Sequence, residues 1–221
     1  MKSATVVGMP RPRRHHVEAG SAAGIFVLLL LAAAIMLQLV SVEARTAVVG
    51  WSSTNLVNLA DHPAGALVAS AFVGSEGNEL AAWCVLAMIG LASTAWRLGI
   101  VRTLVVVGAA HVIATYLSQG ILAIQLATHH ARADLVSMSD VGPSYVVVAG
   151  LAAGVAFGPP WGRLFSVAGL VFVGPYLFTN LTALDVTAVG HAVSIAAAVL
   201  LGYLTWRRSW PPSHCRLWTP A

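Results

Sequence analysis

Ser139-Asp140-Val141-Gly142-Pro143-Ser144-Tyr145 opens an apolar run that carries glycine every fourth residue, at Gly150, Gly154 and Gly158. The spacing predicts a helix that begins at this stretch. Proline suits a first helical position, where its missing N–H costs nothing. Asp140 or Ser139 is then the expected cap for the free amides. The stretch leaves one hydroxyl, that of Ser144, on the first helical turn. Forty-seven residues on, His191 lies inside a second apolar run, Asp185-Val-Thr-Ala-Val-Gly190-His191-Ala-Val-Ser194. A serine at a helix start and a histidine in a later helix are the parts of a nucleophile–base pair.

The surrounding composition says where such a pair would sit. The chain has 221 residues, 58% of them hydrophobic and only 9% charged. A soluble domain carries roughly 25% charged residues. The expected fold is therefore all-α, a polytopic membrane helix bundle. Apolar runs at 20–42, 80–96, 103–127, 143–158, 164–181 and 184–206 predict six transmembrane helices. They form one membrane domain over 20–206, between a basic tail at 1–19 and a basic, aromatic tail at 207–221. A cleaved signal peptide would have a shorter apolar core than 20–42, so that run reads as a retained span. The segment 43–79 reads as a long loop whose semi-apolar pieces lie at the membrane interface. Arg97 to Arg102 reads as a short connection, and Pro159 to Arg163 as a tight turn.

Positive charge orients the bundle. With the N-terminus inside, ten of the twelve basic residues fall on inner segments. Only Arg45 and Arg132 lie outside, together with seven of the eight acids. The positive-inside rule then places both termini in the cytoplasm. The expected location is a plasma membrane, and arginine in place of lysine suggests a GC-rich bacterial genome. In this frame Ser144 starts the fourth span at the outer face. His191 lies six residues inward of Asp185, about 9 Å along its helix. Basic residues spread over several loops speak for topology and against nucleic-acid binding. The partners expected are the bilayer and membrane-protein segments, as substrates or as client helices.

Other polar residues in the spans read more simply. His111, Thr115, Ser118 and Gln125 share a helical face and form an inward polar seam, which can glue helices by hydrogen bonds. A proton or ion path through His111, Gln119, Gln125 and His191 is the alternative use. Gly150 and Gly154 on the fourth span, and Gly190 and Ser194 on the sixth, predict a close approach of those two helices. His129-His130 reads as a solvated pair, with no metal set and no cofactor motif. Cys84 and Cys215 lie far apart in this topology, so no disulfide is expected.

Six spans, a long first outer loop, Gly142-Pro143-Ser144 at the start of span four and Gly190-His191-Ala-Val-Ser194 in span six resemble the rhomboid family of intramembrane serine proteases. The likeness covers about residues 20–206. It implies Ser144 as nucleophile and His191 as base. Arg97-Leu-Gly after span two also resembles the family. Three positions depart from it. Tyr145 stands where the family has glycine. Glu79-Leu-Ala-Ala-Trp83 stands in place of the His-x-x-x-Asn motif that binds the oxyanion. Val148 stands where an aromatic ring would stack on the histidine. Gly142, Tyr145 and Trp83 are then the candidates for supporting the oxyanion and the dyad. A rhomboid-fold protein that binds transmembrane helices without cutting them is the competing implication, and a small transporter a further one.

Overall fold

The computed structural model describes residues 13–74 and 79–207. Most of both basic tails, and Cys215 with them, lies outside the described residues. Among these residues the chain is helical throughout, with no strand. The helices are α1 (Arg13–Leu39), α2 (Val42–Ser52), α3 (Leu56–Asp61), α4 (Pro63–Ser70), α5 (Leu80–Leu98), α6 (Ile100–Ala127), α7 (Ser144–Phe157), α8 (Pro160–Leu177) and α9 (Val186–Arg207). Four helices are long and apolar enough to cross a membrane: α1 from Gly20, α5, α6 and α9.

Helix α7 has 14 residues. It rises about 21 Å, short of the ~30 Å apolar thickness of a bilayer. Its side chains from Tyr145 to Gly154 are all buried. They are covered by α5, α6, α8 and α9. A helix wrapped by protein does not need to reach both lipid interfaces, so Ser144 can sit at a recessed helix start. The core runs through Leu86, Ala87 and Leu91 of α5, Val106 and Ala110 of α6, Val147 to Leu151 of α7 and Ala198 of α9.

The segment read as a loop, 43–79, is largely three short helices. None is long enough to span, and each has a local cause. Ser41 caps α2 by accepting from the Ala44 amide. Asn55 caps α3 by accepting from the Asn58 amide. Pro63 opens α4. The Asn58 side chain donates to the carbonyls of Gly50 and Ser53, at 2.7 and 2.8 Å. Trp51 stacks on His62 at 4.8 Å between ring centroids.

The connection read at 97–102 shrinks to one residue. Gly99 has φ +77 and ends α5 directly against α6. A residue without Cβ takes that conformation at little cost. The turn read at 159–163 is mostly the first turn of α8, since Pro160 fits its first position. Arg163 folds back to donate to the Gly158 and Ala156 carbonyls, covering the open end of α7.

Two expectations about α7 change. Pro143 is its N-cap rather than its first helical residue, and no side chain caps it. Asp140 is held elsewhere. The glycine face of α7 also meets a different neighbour from the one expected. A Cβ on Gly90 of α5 would lie 2.6 Å from the Leu151 nitrogen. A Cβ on Gly150 would lie 3.1 Å from Leu91. A Cβ on Gly154 would lie 2.5 Å from Ser166 Oγ of α8 and 3.2 Å from Ser93 of α5. Glycine spacing therefore serves α5 and α8. The contact of α7 with α9 uses side chains set into gaps.

Candidate functional site

Ser144 is the first residue of α7 and is half-buried. The backbone before it turns at Gly142, whose φ is +135, a value that favours glycine. The Gly142 amide donates to the Ser70 carbonyl at 3.0 Å, so it is committed to the fold. His191 sits in the second turn of α9 and is 1% exposed. Asp185 starts that helix by accepting from the amides of Thr187 and Ala188, each at 3.1 Å.

Both residues line one cavity of about 400 Å³. Its walls come from Leu30, Ala34 and Leu37 of α1, Arg45 of α2, Leu80 and Trp83 of α5, and Tyr176 of α8. Residues 139–144, Glu79 and Thr187 add to it. The lining is mixed, with Arg45, Glu79 and Asp140 among apolar side chains. Trp83, singled out beside the oxyanion position, therefore does reach the serine's cavity.

The imidazole of His191 is fixed in one tautomer. Its Nδ1 lies 3.0 Å from the Leu177 carbonyl. A carbonyl can only accept, so Nδ1 carries the proton. Leu177 is the last residue of α8, where carbonyls lack helical partners. Nε2 is left with a lone pair and, among the described residues, no hydrogen-bond partner, Ser144 Oγ included. The arrangement is a neutral imidazole, oriented from behind, with its basic nitrogen unengaged.

Tyr145 fills the space between α7 and α9. Its ring meets His191 edge to face, at 5.1 Å between centroids and 86° between planes. Gly190 makes this fit, because a Cβ there would collide with the Tyr145 hydroxyl. Ser194 Oγ donates to the Tyr145 carbonyl at 2.7 Å. Gly190 and Ser194 thus both serve the contact with α7, as the spacing suggested, through Tyr145 rather than through glycine.

The polar seam of α6 points inward. His111 Nε2 donates to the Leu67 carbonyl of α4 at 3.0 Å and lies 3.4 Å from Ser70 Oγ. It ties the outer helices to the bundle. Its ring is also 5.9 Å from Tyr145. Thr115 and Ser118 are buried on the same face. Gln119 is buried too and reaches Asp140 at 3.4 Å. Gln125 lies near the end of the helix, where its carbonyl accepts from the His130 amide at 2.8 Å.

Asp140 is the residue that the sequence misplaced. Its amide donates to Ser53 Oγ at 2.8 Å, and its carbonyl accepts from the Thr54 amide at 2.9 Å. One carboxylate oxygen faces Thr54 Oγ1 at 3.2 Å, Gln119 Nε2 at 3.4 Å and the Tyr145 hydroxyl at 3.5 Å. Burial raises its pKa above the ordinary carboxylate value.

A family model described as rhomboid-like protein matches residues 16–208. The chain belongs to the rhomboid-like protein family. The match spans every helix from the first turn of α1 to the end of α9. No curated protein and no solved structure matches the chain. This rhomboid-like chain is therefore a membrane protein with several apolar helices.

Proposed function

We propose that this rhomboid-like protein is an intramembrane serine protease in which Ser144 is the nucleophile and His191 the base. One observation carries the reading. His191 donates from Nδ1 to Leu177 and keeps Nε2 unpaired, on the wall of the cavity that holds Ser144. A serine hydroxyl is a weak nucleophile at neutral pH and needs such a base. His191 Nε2 takes the Ser144 proton as Oγ attacks the scissile carbonyl. The imidazolium then protonates the leaving amine, and water releases the acyl-enzyme. The two groups come within bonding reach on substrate binding, as is common for resting sites. Backbone amides at the start of α7 favour the oxyanion, and the Trp83 indole is a further donor on the cavity wall. With no His-x-x-x-Asn, turnover is slow, since each missing oxyanion donor costs about 10²–10³ in rate.

The reading sets the bundle in the plasma membrane with six spans, α1 and α5 to α9. Both termini are cytoplasmic, and Ser144 faces the cavity from the outer side. Reporter fusions after Ala60 and Ser137 then read as external, and one after Arg208 as internal.

A second reading has its own support. Tyr145 replaces glycine beside the serine, and no Ser144–His191 hydrogen bond is present. The same cavity then holds a client membrane helix without cutting it. A fluorophosphonate probe on purified protein separates the two. Labelling at Ser144 that His191→Ala abolishes supports the protease. Folded protein that stays unlabelled and cleaves no membrane-segment reporter supports the client-binding reading. Labelling that survives His191→Ala removes His191 as the base.

A further inference from the structure

We propose that Asp140 is a positioning residue that acts through Tyr145 to hold the His191 ring, an acid coupled to what would otherwise be a two-residue site. The proposal rests on the protease reading for its consequence but not for its geometry.

Four observations converge on it. The Tyr145 hydroxyl lies between two acceptors, Asp140 Oδ2 at 3.5 Å and the Val186 carbonyl at 3.4 Å. A carboxylate is the stronger acceptor of the two. Tyr145 is 3% exposed, and its ring stands at nearly a right angle to that of His191. Gly190 supplies the empty space that the hydroxyl occupies. Asp140 itself cannot drift. The backbone on both its sides is bound to Ser53 and Thr54, and its carboxylate to Thr54 and Gln119.

The direction of action follows from what each group can move. The phenol ring is pinned at its far end by the hydroxyl and at its near end by the Ser194 bond to its own carbonyl. The phenol oxygen lies on the ring's long axis, so its bonds fix where the far end of the ring sits, and releasing the hydroxyl lets that end swing about Cα–Cβ. The contact made with His191 then changes. On its other side, among the described residues, the imidazole's one hydrogen bond is to the Leu177 carbonyl. A loosened ring therefore lets Nδ1 leave Leu177, and the proton is then no longer confined to one nitrogen. Tyr145, the bulky departure after the serine, becomes the support of the base rather than an obstruction.

The test uses full-length protein in detergent, labelled with ¹⁵N-histidine, as wild type, Asp140→Asn, Tyr145→Phe and the double variant. Phenylalanine keeps the ring and removes the hydroxyl. In wild type the His191 ring nitrogens should show one tautomer. Both single variants should shift them toward the average of the two tautomers, and the double variant should add nothing more, as for residues in one network. Fluorophosphonate labelling of Ser144 should slow by about 10–100-fold in each single variant, taking the range for losing a partner that orients a metal-ligating histidine. A single unchanged tautomer in both Asp140→Asn and Tyr145→Phe overturns the proposal, whatever the labelling does. Additive effects in the double variant overturn it too, because the two residues then act separately. Wild type that never labels, with the tautomer shifts present, removes the protease reading and leaves the positioning role standing.

Discussion

Tyr145 and His191 meet edge to face across the contact of α7 and α9, and Gly190, one residue before the histidine, is the gap into which the phenol fits. An added methyl at Gly190 falls on the hydroxyl and CZ of a fully buried ring. The ring cannot retreat, since Ser194 holds its backbone. Gly190→Ala should therefore lower stability by about 1–3 kcal/mol, as overpacking does. Gly174→Ala is the control, because no described residue lies within 4 Å of its new Cβ. Equal melting midpoints for the two variants in detergent would show that Tyr145 has room to move.

Gly154→Leu should also destabilise the bundle, through α8 and α5. The first side-chain atom alone would come 2.5 Å from Ser166 Oγ and 3.2 Å from Ser93. A loss of about 1–3 kcal/mol is expected. Gly154→Leu combined with Ser166→Gly should recover part of it, because the nearest obstruction is removed. No recovery would place the strain elsewhere.

How the sequence anticipates this fold can be traced through such residues. Long apolar runs carry their own length signal, so α1, α5, α6 and α9 were legible. The order of Gly142-Pro143-Ser144 and His191 carried the family. Helices α2 to α4 were not legible, because pieces of 6 to 11 residues have too few turns to show a period. Four-residue glycine spacing tells that a face admits a close neighbour, yet not which neighbour. Gly150 and Gly154 could have met α9 on that evidence, and they meet α5 and α8. Asp140 read as a cap because a cap is a local event. Its actual partners, Thr54 and Gln119, are 86 and 21 residues away. The acceptor that orients His191 is a backbone carbonyl, and a backbone atom has no residue signature.

His111 predicts a separable effect. Its bond to the Leu67 carbonyl joins α6 to α4, two elements 44 residues apart. His111→Ala removes that donor and leaves the half-buried Leu67 carbonyl with Ser70 Oγ at 3.2 Å, so the cost is that of one lost hydrogen bond, about 1 kcal/mol. Local opening of the outer helices should follow, read as faster amide exchange over residues 63–70. Labelling of Ser144 should fall only as far as folded protein is lost. A loss of labelling in fully folded His111→Ala would instead put His111 in the chemistry.

Asp140 gives stability a pH dependence whose sign can be worked out. Burial is the largest effect on it and raises its pKa above the ordinary 3.8. Hydrogen bonds from Thr54 and Gln119 oppose the rise, the Asp185 charge at the start of α9 adds to it, and the bond from Tyr145 opposes it. Arg45 of α2 and Glu79 before α5 line the same cavity, with His191 of α9. The folded protein therefore holds this proton more tightly than the unfolded chain. Stability from this group is then fully present below the unfolded value and is lost as pH rises through the folded one. Asparagine at 140 has no proton to lose. The melting midpoint of Asp140→Asn, measured against wild type, should shift in the variant's favour as pH rises from 3.5 toward neutrality. The shift is bounded by about 1.4 kcal/mol per pH unit for one group. Glu43, exposed on α2, has its pKa lowered by its own backbone hydrogen bond, so its contribution runs the opposite way. Glu43→Gln in both backgrounds removes it from the comparison. A variant-minus-wild-type difference that stays flat or falls over this range would mean that Asp140 ionises at least as readily in the fold as in water.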